Sequence, residues 1–552
     1  MTSAVAPNVE LAVEVTPSGL PSLRFRGEWL DDSKDPVAAA LAFADPEIVE
    51  GANRVVLFGA GLGYRILRLE ELGVDPIIVF EPNREVVSLC RQYVPRAHQR
   101  ARVFTEVTPF LDYLIDDYQP DHSTRLLAAP AYRRAYPEFF AKVEHTLRDA
   151  QGFVSIKKKS LEQRSQAMVE AAMINLGRAA EVPDALSLGR PLEGSAAFIV
   201  AAGPSLDKNG SLLFEASKKG AIFAVNTSAP VVKHYGAEID CLVSIEAMRA
   251  ADQMHGTEPR CIALDFTAHP ASFEVPSETK IAFAQDHPAF APLATKLGLR
   301  RMRYGASVAT AAVSLAWHLG ADPIVVVGQD LAFTGGRVYA TGTGREAATA
   351  TVNGEILTVE YGLDGFFEAH GVKPPSKHQP RQTVAAWGGG MVESAFDLSL
   401  FRRWFEGLAH FSKDVRFINA TEGGARIEGW EEHTLRAVID TLSPRSDELI
   451  AAAKRAKTMS AEAVESLRQE TRSTAKLVER AARKCLKAQS RRQESAAMKV
   501  RKLADNAPFV RAHAAGPLSE LRSDESLAHR QRYLRTFEII RDSARTIREL
   551  AE

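Results

Sequence analysis

Short apolar runs in the second half of the chain end in polar side chains that could bind a ligand or move a proton. The runs predict buried strands and are Ala196–Ala201, Ala221–Val225, Cys241–Ile245, Cys261–Phe266, Lys280–Ala284 and Pro323–Val327. Four of them lead into polar or turn residues, namely Gly203-Pro204-Ser205, Asn226-Thr227-Ser228, Ser244-Ile245-Glu246 and Gly328-Gln329-Asp330. Because such runs indicate a parallel sheet covered on both faces, their carboxyl ends should share the edge at which open α/β sheets bind ligands.

The turn after the first of these runs has the composition of a phosphate-binding turn. Gly203 allows a tight turn, and Pro204 stiffens it. Ser205 is placed to cap a following helix, so free backbone N–H groups should lie beside it. A strand that leads through small residues into a helix N-terminus is a ready site for a phosphate group.

Two carboxylates, Glu246 and Asp330, follow buried runs and are candidate catalytic groups. Each could bind a sugar hydroxyl, coordinate a metal or accept a proton, but each could instead cap a helix or form a structural salt bridge. No paired-carboxylate motif accompanies them, so we predict no metal requirement. His370 and His378 flank a basic, proline-containing loop further along the chain, and of the two His378 is the candidate general base.

A glycine-rich segment, Gly335–Gly344, follows Asp330. It contains too much glycine for regular structure, and we expect it to be flexible enough to close over a bound ligand. Tyr339 within it could donate a hydrogen bond to a phosphate oxygen, or it could simply pack in the fold.

A second glycine cluster, Gly59-x-Gly61-x-Gly63, lies between the apolar runs Arg54–Phe58 and Pro76–Phe80, and Glu81 ends the second run. A strand, a glycine turn, a helix and a strand that ends in an acid are typical of a βαβ unit. The spacing resembles motif I of S-adenosylmethionine-dependent methyltransferases, where the acid can bind a ribose hydroxyl. The glycines could equally serve only to make a tight turn.

Composition and pattern divide the 552 residues into four regions. We predict an N-terminal α/β domain with the glycine cluster at 1–150, a helical linker at 151–190, a central catalytic domain at 191–444 and an α-helical domain at 445–552. A helix over Ser307–Gly320 should lead into the last central strand, and helix breaks are predicted at Asn506-Ala507-Pro508 and Gly516-Pro517. The last region carries a formal charge of +9 and the rest −10, which suits either an acidic partner or a solvated helical surface.

The overall composition is that of an ordinary globular protein, with 45% hydrophobic and 25% charged residues. It excludes disordered, collagen-like and disulfide-scaffold proteins. No run of about 18 apolar residues occurs, and the N-terminus lacks the pattern of a secretory signal. The four cysteines are scattered without metal-ligand spacing, which fits a reducing compartment. We therefore expect a cytoplasmic protein.

The region from about 190 to 430 resembles the motility accessory factor family, which shares a domain with 6-hydroxymethylpterin pyrophosphokinase-like proteins. The matching segments occur in the family's order and are Gly203–Asn209, Val243–Glu246, Gly328–Phe333, Trp387–Gly389, Phe405-Glu406 and Asn419–Gly429. The layout of an N-terminal nucleotide-fold domain, this core and a helical C-terminus is also similar. The resemblance therefore covers most of the chain.

The resemblance implies a glycosyltransferase that moves a nonulosonic acid, of the pseudaminic or legionaminic type, from CMP to Ser or Thr of flagellin. Such transfer is required for flagellar assembly and motility. The resemblance further implies a Rossmann-like core similar to that of CMP-sialic-acid-dependent sialyltransferases. The predicted donor-binding residues are Gly203, Pro204, Ser205, Asn226, Ser244, Gly328, Gln329 and Tyr339, and the predicted catalytic residues are Asp330, Glu246 and His378. No cofactor beyond the CMP-sugar is expected, and the basic C-terminal helices are the predicted docking surface for flagellin.

The chain departs from the family pattern in three places. Relatives usually have Asp where Glu246 stands and often His where Tyr339 stands, and Trp387–Glu393 contains no histidine that would match the sialyltransferase base. The identity of the base is therefore open. Two other functions also stay open, namely a pyrophosphokinase that uses ATP and magnesium, and a non-catalytic flagellin-binding chaperone.

Overall fold

The computed structural model describes residues 11–52, 54–116, 124–179, 181–247, 253–285, 290–361, 376–412, 414–445, 447–458, 460–487, 490–523 and 529–551. The chain divides into two compact units, residues 1–158 and 159–552. Each unit contains a parallel sheet with a hydrophobic core of its own.

The first unit contains the predicted βαβ arrangement. Its strands are β1 (Leu11–Val15), β2 (Pro21–Phe25), β3 (Glu28–Trp29), β4 (Arg54–Phe58), β5 (Ile77–Phe80), β6 (Ala101–Phe104) and β7 (Thr124–Ala128). β1 to β3 form an antiparallel sheet, and the other four strands form a parallel sheet in the order β6-β5-β4-β7. Helices cover Pro36–Phe43, Pro46–Val49, Tyr64–Glu71, Arg84–Tyr93, Pro95–Arg100, Val107–Asp116, Pro130–Ala135 and Pro137–Ala179, the last of which continues into the second unit. The predicted strands on both sides of the glycine cluster are confirmed.

A nine-stranded parallel sheet forms the centre of the second unit. The strands of this unit are β8 (Ala196–Val200), β9 (Gly220–Val225), β10 (Cys241–Ser244), β11 (Cys261–Asp265), β12 (Thr279–Gln285), β13 (Arg301–Met302), β14 (Ile324–Val327), β15 (Thr349–Asn353), β16 (Ile356–Glu360), β17 (Ser376–Pro380), β18 (Gln382–Ala385), β19 (Met391–Ser394), β20 (Phe417–Asn419) and β21 (Glu431–Glu432). The large sheet has the order β13-β12-β11-β10-β9-β8-β14-β20-β21, and β15 to β17 and β18 with β19 form two small antiparallel sheets. All six predicted strands are confirmed, and so is the α/β class with a parallel sheet.

Helices cover both faces of the large sheet. They are Leu206–Asn209, Leu213–Ala216, Ala229–His234, Ala291–Leu297, Val308–His318, Phe396–Phe411, Leu435–Thr441, Glu448–Arg455, Ala461–Lys487, Ser490–Asp505, Pro508–Ser523 and His529–Leu550, with 3-10 turns at Ala185–Leu188, Gly210–Leu212, Pro270–Glu274 and Thr334–Gly336. The helix predicted at Ser307–Gly320 is confirmed, because Ser307 caps Val308–His318 by accepting from the Thr310 N–H at 3.3 Å. Within the described part of the chain, none of the helices is long and apolar enough to cross a membrane.

Residues of one strand pack alternately into two hydrophobic cores. On β14, Ile324 and Val326 pack in the core that contains Val313 and Leu315 of the helix after Ser307. Val325 and Val327 pack in the other core, which also contains residues of all the helices beyond residue 460. The C-terminal helices therefore share a core with one face of the sheet.

One predicted helix break is wrong. Asn506-Ala507-Pro508 does separate two helices, but the helix Pro508–Ser523 continues through Gly516-Pro517. Proline cannot donate the backbone hydrogen bond of a helix, which costs about 3 kcal/mol. Here Phe509 and Val510 before the proline and Leu518 after it pack against the same core, and this burial offsets the local cost.

Candidate functional site

The sheet order creates a crevice between β8 and β14. From β8 the chain adds β9 to β13 on one side, and it then returns to place β14 on the other side of β8. Helix connections leave the two strands in opposite directions at such a switch point, so open α/β sheets bind ligands at the carboxyl ends of these strands. Gly203-Pro204-Ser205 follows β8, and Gly328-Gln329-Asp330 follows β14, so both predicted segments lie at the crevice.

Ser205 and Asp330 bind each other across this crevice. The Ser205 hydroxyl donates to Asp330 Oδ1 at 2.7 Å, and the Ser205 N–H lies 3.2 Å from both carboxylate oxygens. Both residues are 3% exposed. Burial raises the pKa of Asp330 to about 6, although the hydrogen bonds from Ser205 act in the opposite direction. The pair therefore joins the turn after β8 to the turn after β14 by hydrogen bonds between the chain's own groups.

This pairing corrects the prediction that Ser205 caps a helix and that free N–H groups lie beside it. The N–H group of Gly203 donates to Gly328 O at 2.7 Å, and that of Leu206 donates to Gly203 O at 3.0 Å. The Ser205 side chain does not cap the following helix, which is only one turn long. The N–H groups expected to be free are thus used inside the protein. Backbone carbonyl oxygens accept from Gly203 and Leu206, and Asp330, 125 residues further along the chain, accepts from Ser205.

Glycine is required at this junction by close contacts. A Cβ on Gly203 would lie 2.0 Å from Asp330 Oδ1 and 2.6 Å from the backbone oxygen of Gly328. A Cβ on Gly424 would lie 2.2 Å from Asp330 O, and Gly424 also has a φ of +71°. All three distances are far below any real carbon contact. The two glycines therefore let three chain segments meet around Asp330.

The other two candidate catalytic residues lie in different surroundings. Glu246 follows β10, and its Oε1 forms a salt bridge of 3.2 Å with Arg164 Nη1. Of the two histidines expected to flank a loop, His370 lies outside the described residues. His378 lies in β17, where its Nδ1 is 3.0 Å from Thr358 Oγ1 on β16. His378 is exposed because alternate residues of a strand point to opposite faces, and Val359 on the other face of β16 is buried. The described contacts do not join either residue to Asp330.

The glycine-rich segment lies over the turn that follows β8. The Ala340 N–H donates to Ala202 O at 2.9 Å. Asp207 accepts from Arg337 Nη2 at 2.6 Å and from both the N–H and the hydroxyl of Thr341 at 2.9 Å. Burial raises the pKa of Asp207, but these hydrogen bonds outweigh it and leave the pKa below its ordinary value. The segment expected to be flexible is therefore held at its middle by charge-assisted hydrogen bonds.

Arg345, which directly follows this segment, lies near the carboxyl end of β9. Arg345 Nε and Nη2 lie 2.8 and 2.7 Å from one end of the Gln253 side-chain amide, whose other end is 2.6 Å from the amide of Asn226. The Arg345 guanidinium also stands 6.0 Å from the ring centre of Tyr339. Asn226 and Tyr339 are thus brought to one place, together with two residues that the sequence did not single out.

The remaining predicted donor-binding residues are close to the sheet edge but buried. Ser244 is fully buried, and its hydroxyl has no hydrogen-bond partner among the residues that the structure describes. Gln329 is 9% exposed, and its N–H donates to Thr421 Oγ1 at 3.2 Å. Pro204 and Gly328 shape the turns around Ser205 and Asp330. Their predicted roles in donor binding stay predictions.

A layer of polar residues supports the crevice from the strand β20 and the turn after it. Asn209 Nδ2 donates to Ala420 O at 2.9 Å and to Glu422 Oε1 at 3.1 Å, and Lys208 Nζ donates to Glu422 O at 2.9 Å. The Asn419–Gly429 segment entered the sequence analysis only through a family resemblance. Its clustered polar and glycine residues were the signal for a tightly packed turn, but their partners lie more than 200 residues away.

The N-terminal glycine cluster is filled by side chains of its own unit. Glu81 is fully buried and accepts from the Ala60 N–H and the Tyr132 hydroxyl, both at 2.8 Å. The Gly61 N–H donates to Tyr132 Oη at 2.8 Å, and a Cβ on Gly59 would lie 2.3 Å from the Tyr132 ring. The N–H groups and the acid that could bind a nucleotide are thus occupied. The geometry favours the structural interpretation of these glycines.

Glu81 should make the stability of the chain depend on pH. Burial raises its pKa from an ordinary 4.5 to about 7, so between these values the folded state keeps a proton that the unfolded chain releases. The free energy of unfolding should therefore fall by about 3 kcal/mol as the pH rises from 4.5 to 7. Urea unfolding of the wild type and of Glu81→Gln at several pH values isolates this effect. Parallel pH profiles of the two proteins would contradict it.

Comparison with known proteins agrees with this architecture. A solved structure of a Maf glycosyltransferase from Magnetospirillum magneticum AMB-1 superimposes with a TM-score of 0.52 over 98% of this chain and 91% of that chain, at 16% sequence identity. This chain has the fold of a Maf glycosyltransferase. The resemblance to the motility accessory factor family is thus confirmed in the fold.

Two further similarities concern parts of the chain. The family model described as 6-hydroxymethylpterin diphosphokinase MptE-like matches residues 170–336, which confirms the domain that the Maf fold was expected to share with these proteins. A polyamine aminopropyltransferase from Synechococcus sp. (strain JA-3-3Ab) is 30% identical over 149 residues, which are 24% of this chain and 48% of that protein. The match thus spans about half the length of this curated relative.

Proposed function

We propose that the chain is a glycosyltransferase that moves a nonulosonic acid from a CMP-activated donor to serine or threonine residues of flagellin. One observation carries the proposal, namely the convergence of three strand ends near the switch point of the parallel sheet. Asp330 after β14 binds the turn after β8. The segment 335–345 contacts that same turn and reaches Asn226 after β9 through Gln253. The similarity in fold to a Maf glycosyltransferase over almost the whole chain supports it.

The chemistry of a CMP-sugar matches the residues at the end of β9. The bond from the sugar to the phosphate breaks, and the phosphate leaves as an anion, so donors of hydrogen bonds and positive charge stabilise the transition state. Asn226, Tyr339 and Arg345 supply an amide, a hydroxyl and a guanidinium in one place. The donor phosphate is therefore proposed to bind there.

The acceptor hydroxyl must also lose a proton to a base. Asp330 is closed in by Ser205 and is 3% exposed, whereas the side chain of Glu246 is 29% exposed. Glu246 follows β10, the strand next to β9. Of the two carboxylates we propose Glu246 as the base, because a substrate can reach it, and we propose that Asp330 positions the turn at Ser205.

The C-terminal helices offer a basic surface for the protein acceptor. Arg472, Lys476 and Arg480 are exposed and four residues apart on the helix Ala461–Lys487, so they form one stripe. We propose that this basic stripe docks an acidic face of flagellin. Deletion of residues 445–552 would not test the proposal, because these helices share a core with the central sheet. Reversal of the three exposed charges leaves that core intact.

A pyrophosphokinase is the second candidate, and the match of residues 170–336 to the MptE-like family favours it. A thermal-shift titration with CMP, with ATP plus magnesium and with S-adenosylmethionine separates the candidates. Ligand at 100 times its Kd stabilises the folded state by about 2.7 kcal/mol. We expect stabilisation by CMP in the wild type and its loss in Asn226→Ala. Stabilisation only by ATP with magnesium would favour the kinase, and stabilisation by none of the three would favour a flagellin-binding chaperone.

A further inference from the structure

The side-chain amides of Asn226 and Gln253 form a chain of hydrogen bonds that starts at Arg345. The amide atom of Gln253 that faces Arg345 is 2.8 Å from Nε and 2.7 Å from Nη2, and the opposite amide atom is 2.6 Å from the Asn226 amide. A primary amide can be rotated by 180° without a change of shape. The chemistry of its partners therefore decides which end is oxygen and which is nitrogen.

Arginine fixes the direction of this chain because a guanidinium only donates hydrogen bonds. The Gln253 oxygen must face Arg345, where it accepts from both Nε and Nη2. The Gln253 nitrogen then faces Asn226 and can only donate. Asn226 must accept with its Oδ1, so its Nδ2 is the end that remains for another partner.

We infer that Arg345 and Gln253 are positioning residues that make Asn226 present an N–H donor to the CMP-activated substrate. The inference rests on the proposed function and adds the direction of one hydrogen bond. Asn226 donates, and an oxygen of the nucleotide accepts, on either its phosphate or its base and ribose. Asn226 is 7% exposed, so a ligand can reach only a small part of this side chain. If Asn226 were held with its Oδ1 outward, that oxygen would face an oxygen of the ligand, and neither could donate a hydrogen bond.

The isosteric substitution Gln253→Glu, which replaces the amide nitrogen by an acceptor oxygen, tests the direction of this hydrogen bond. Glutamate can still accept from Arg345, but it cannot donate to Asn226, so Asn226 must turn its Nδ2 inward and its oxygen towards the ligand. We expect the Kd for CMP to rise at least tenfold, with the melting temperature of the ligand-free protein unchanged. Gln382→Glu is the matched control, because the Ser399 hydroxyl donates to Gln382 at 2.5 Å and can donate equally to glutamate.

Two substitutions of Arg345 separate positioning from a merely structural role. Lysine is also a pure donor, so Arg345→Lys should preserve the orientation of Gln253 and raise the Kd for CMP less than Arg345→Gln does. Arg345→Gln can accept as well as donate, so it no longer dictates the orientation of Gln253, and its Kd should rise severalfold. If Arg345 had only a structural role, the CMP affinity of Arg345→Lys would not exceed that of Arg345→Gln.

The titration uses CMP and cytidine as probes in the full chain. Weakened binding of CMP alone in Gln253→Glu assigns the acceptor to the phosphate, and weakened binding of both assigns it to the nucleoside. Unchanged CMP affinity in Gln253→Glu, with CMP binding intact in the wild type, would overturn this inference alone. Absence of CMP binding in the wild type would overturn the proposed function and the inference together.

Discussion

Asp330→Ala is expected to abolish CMP binding and to destabilise the second unit by roughly 2–5 kcal/mol. The substitution removes the acceptor of both the Ser205 N–H and the Ser205 hydroxyl. Ser205 is 3% exposed, so water cannot replace the lost hydrogen bonds without opening the turn. Urea unfolding and CMP titration of the full chain measure the two effects.

Asp330→Asn distinguishes a positioning role from a role as the general base. Asparagine keeps an oxygen that can accept from Ser205, but it cannot accept a proton at neutral pH. If Asp330 positions the turn, Asp330→Asn should retain CMP binding and most of the transfer activity, while Glu246→Gln loses the transfer. If the Asp330→Asn variant binds CMP normally but transfers no sugar, Asp330 is the base instead.

Gly203→Ala is expected to disrupt the same junction through a single added carbon. The new Cβ would lie 2.0 Å from Asp330 Oδ1 and 2.6 Å from the Gly328 carbonyl oxygen, and the second contact is with backbone that cannot rotate away. Overpacking of this kind costs about 3 kcal/mol. Loss of CMP binding should accompany the loss of stability, because β8 and β14 are forced apart at their carboxyl ends.

Gly177→Ala is the matched control for this change. Gly177 is an exposed residue within the helix Pro137–Ala179, and its added Cβ would meet only the flexible end of Arg468, at 2.8 Å from Nη2. Alanine is the better helix former, so the control should be neutral or more stable by up to about 1 kcal/mol. Equal stability of Gly203→Ala and Gly177→Ala would contradict the account of the junction.

The edge of the sheet could be predicted from the sequence because strand ends are local features. Apolar runs of five or six residues fix β8, β9 and β14, and the parallel topology then brings their polar ends together. The partners of those polar residues could not be predicted in the same way. The turn at Ser205 was expected to offer free N–H groups, but the Ser205 N–H and hydroxyl both donate to Asp330, 125 residues away, and nothing near Ser205 in the sequence indicates this.

Short and exposed strands also could not be predicted from the sequence. β17 carries His378 but consists of Ser-Lys-His-Gln-Pro, which has no apolar face of its own. Its pairing with β16, whose Leu357 and Val359 are buried, makes it a strand. Gln253 and Arg345 were missed for a similar reason, since each is an ordinary polar residue until the fold places them beside Asn226.

Transfer to flagellin, followed by the intact mass of the acceptor protein, tests the central claim most directly. Purified full-length chain, flagellin and a CMP-nonulosonic acid should give flagellin heavier by whole sugar residues, together with an equal amount of released CMP. Asn226→Ala should reduce the mass increase and also lose CMP binding. Reversal of the charges of the basic stripe should reduce the mass increase but leave CMP binding intact. Unmodified flagellin from the wild-type chain, under conditions in which CMP stabilises that chain, would contradict the claim.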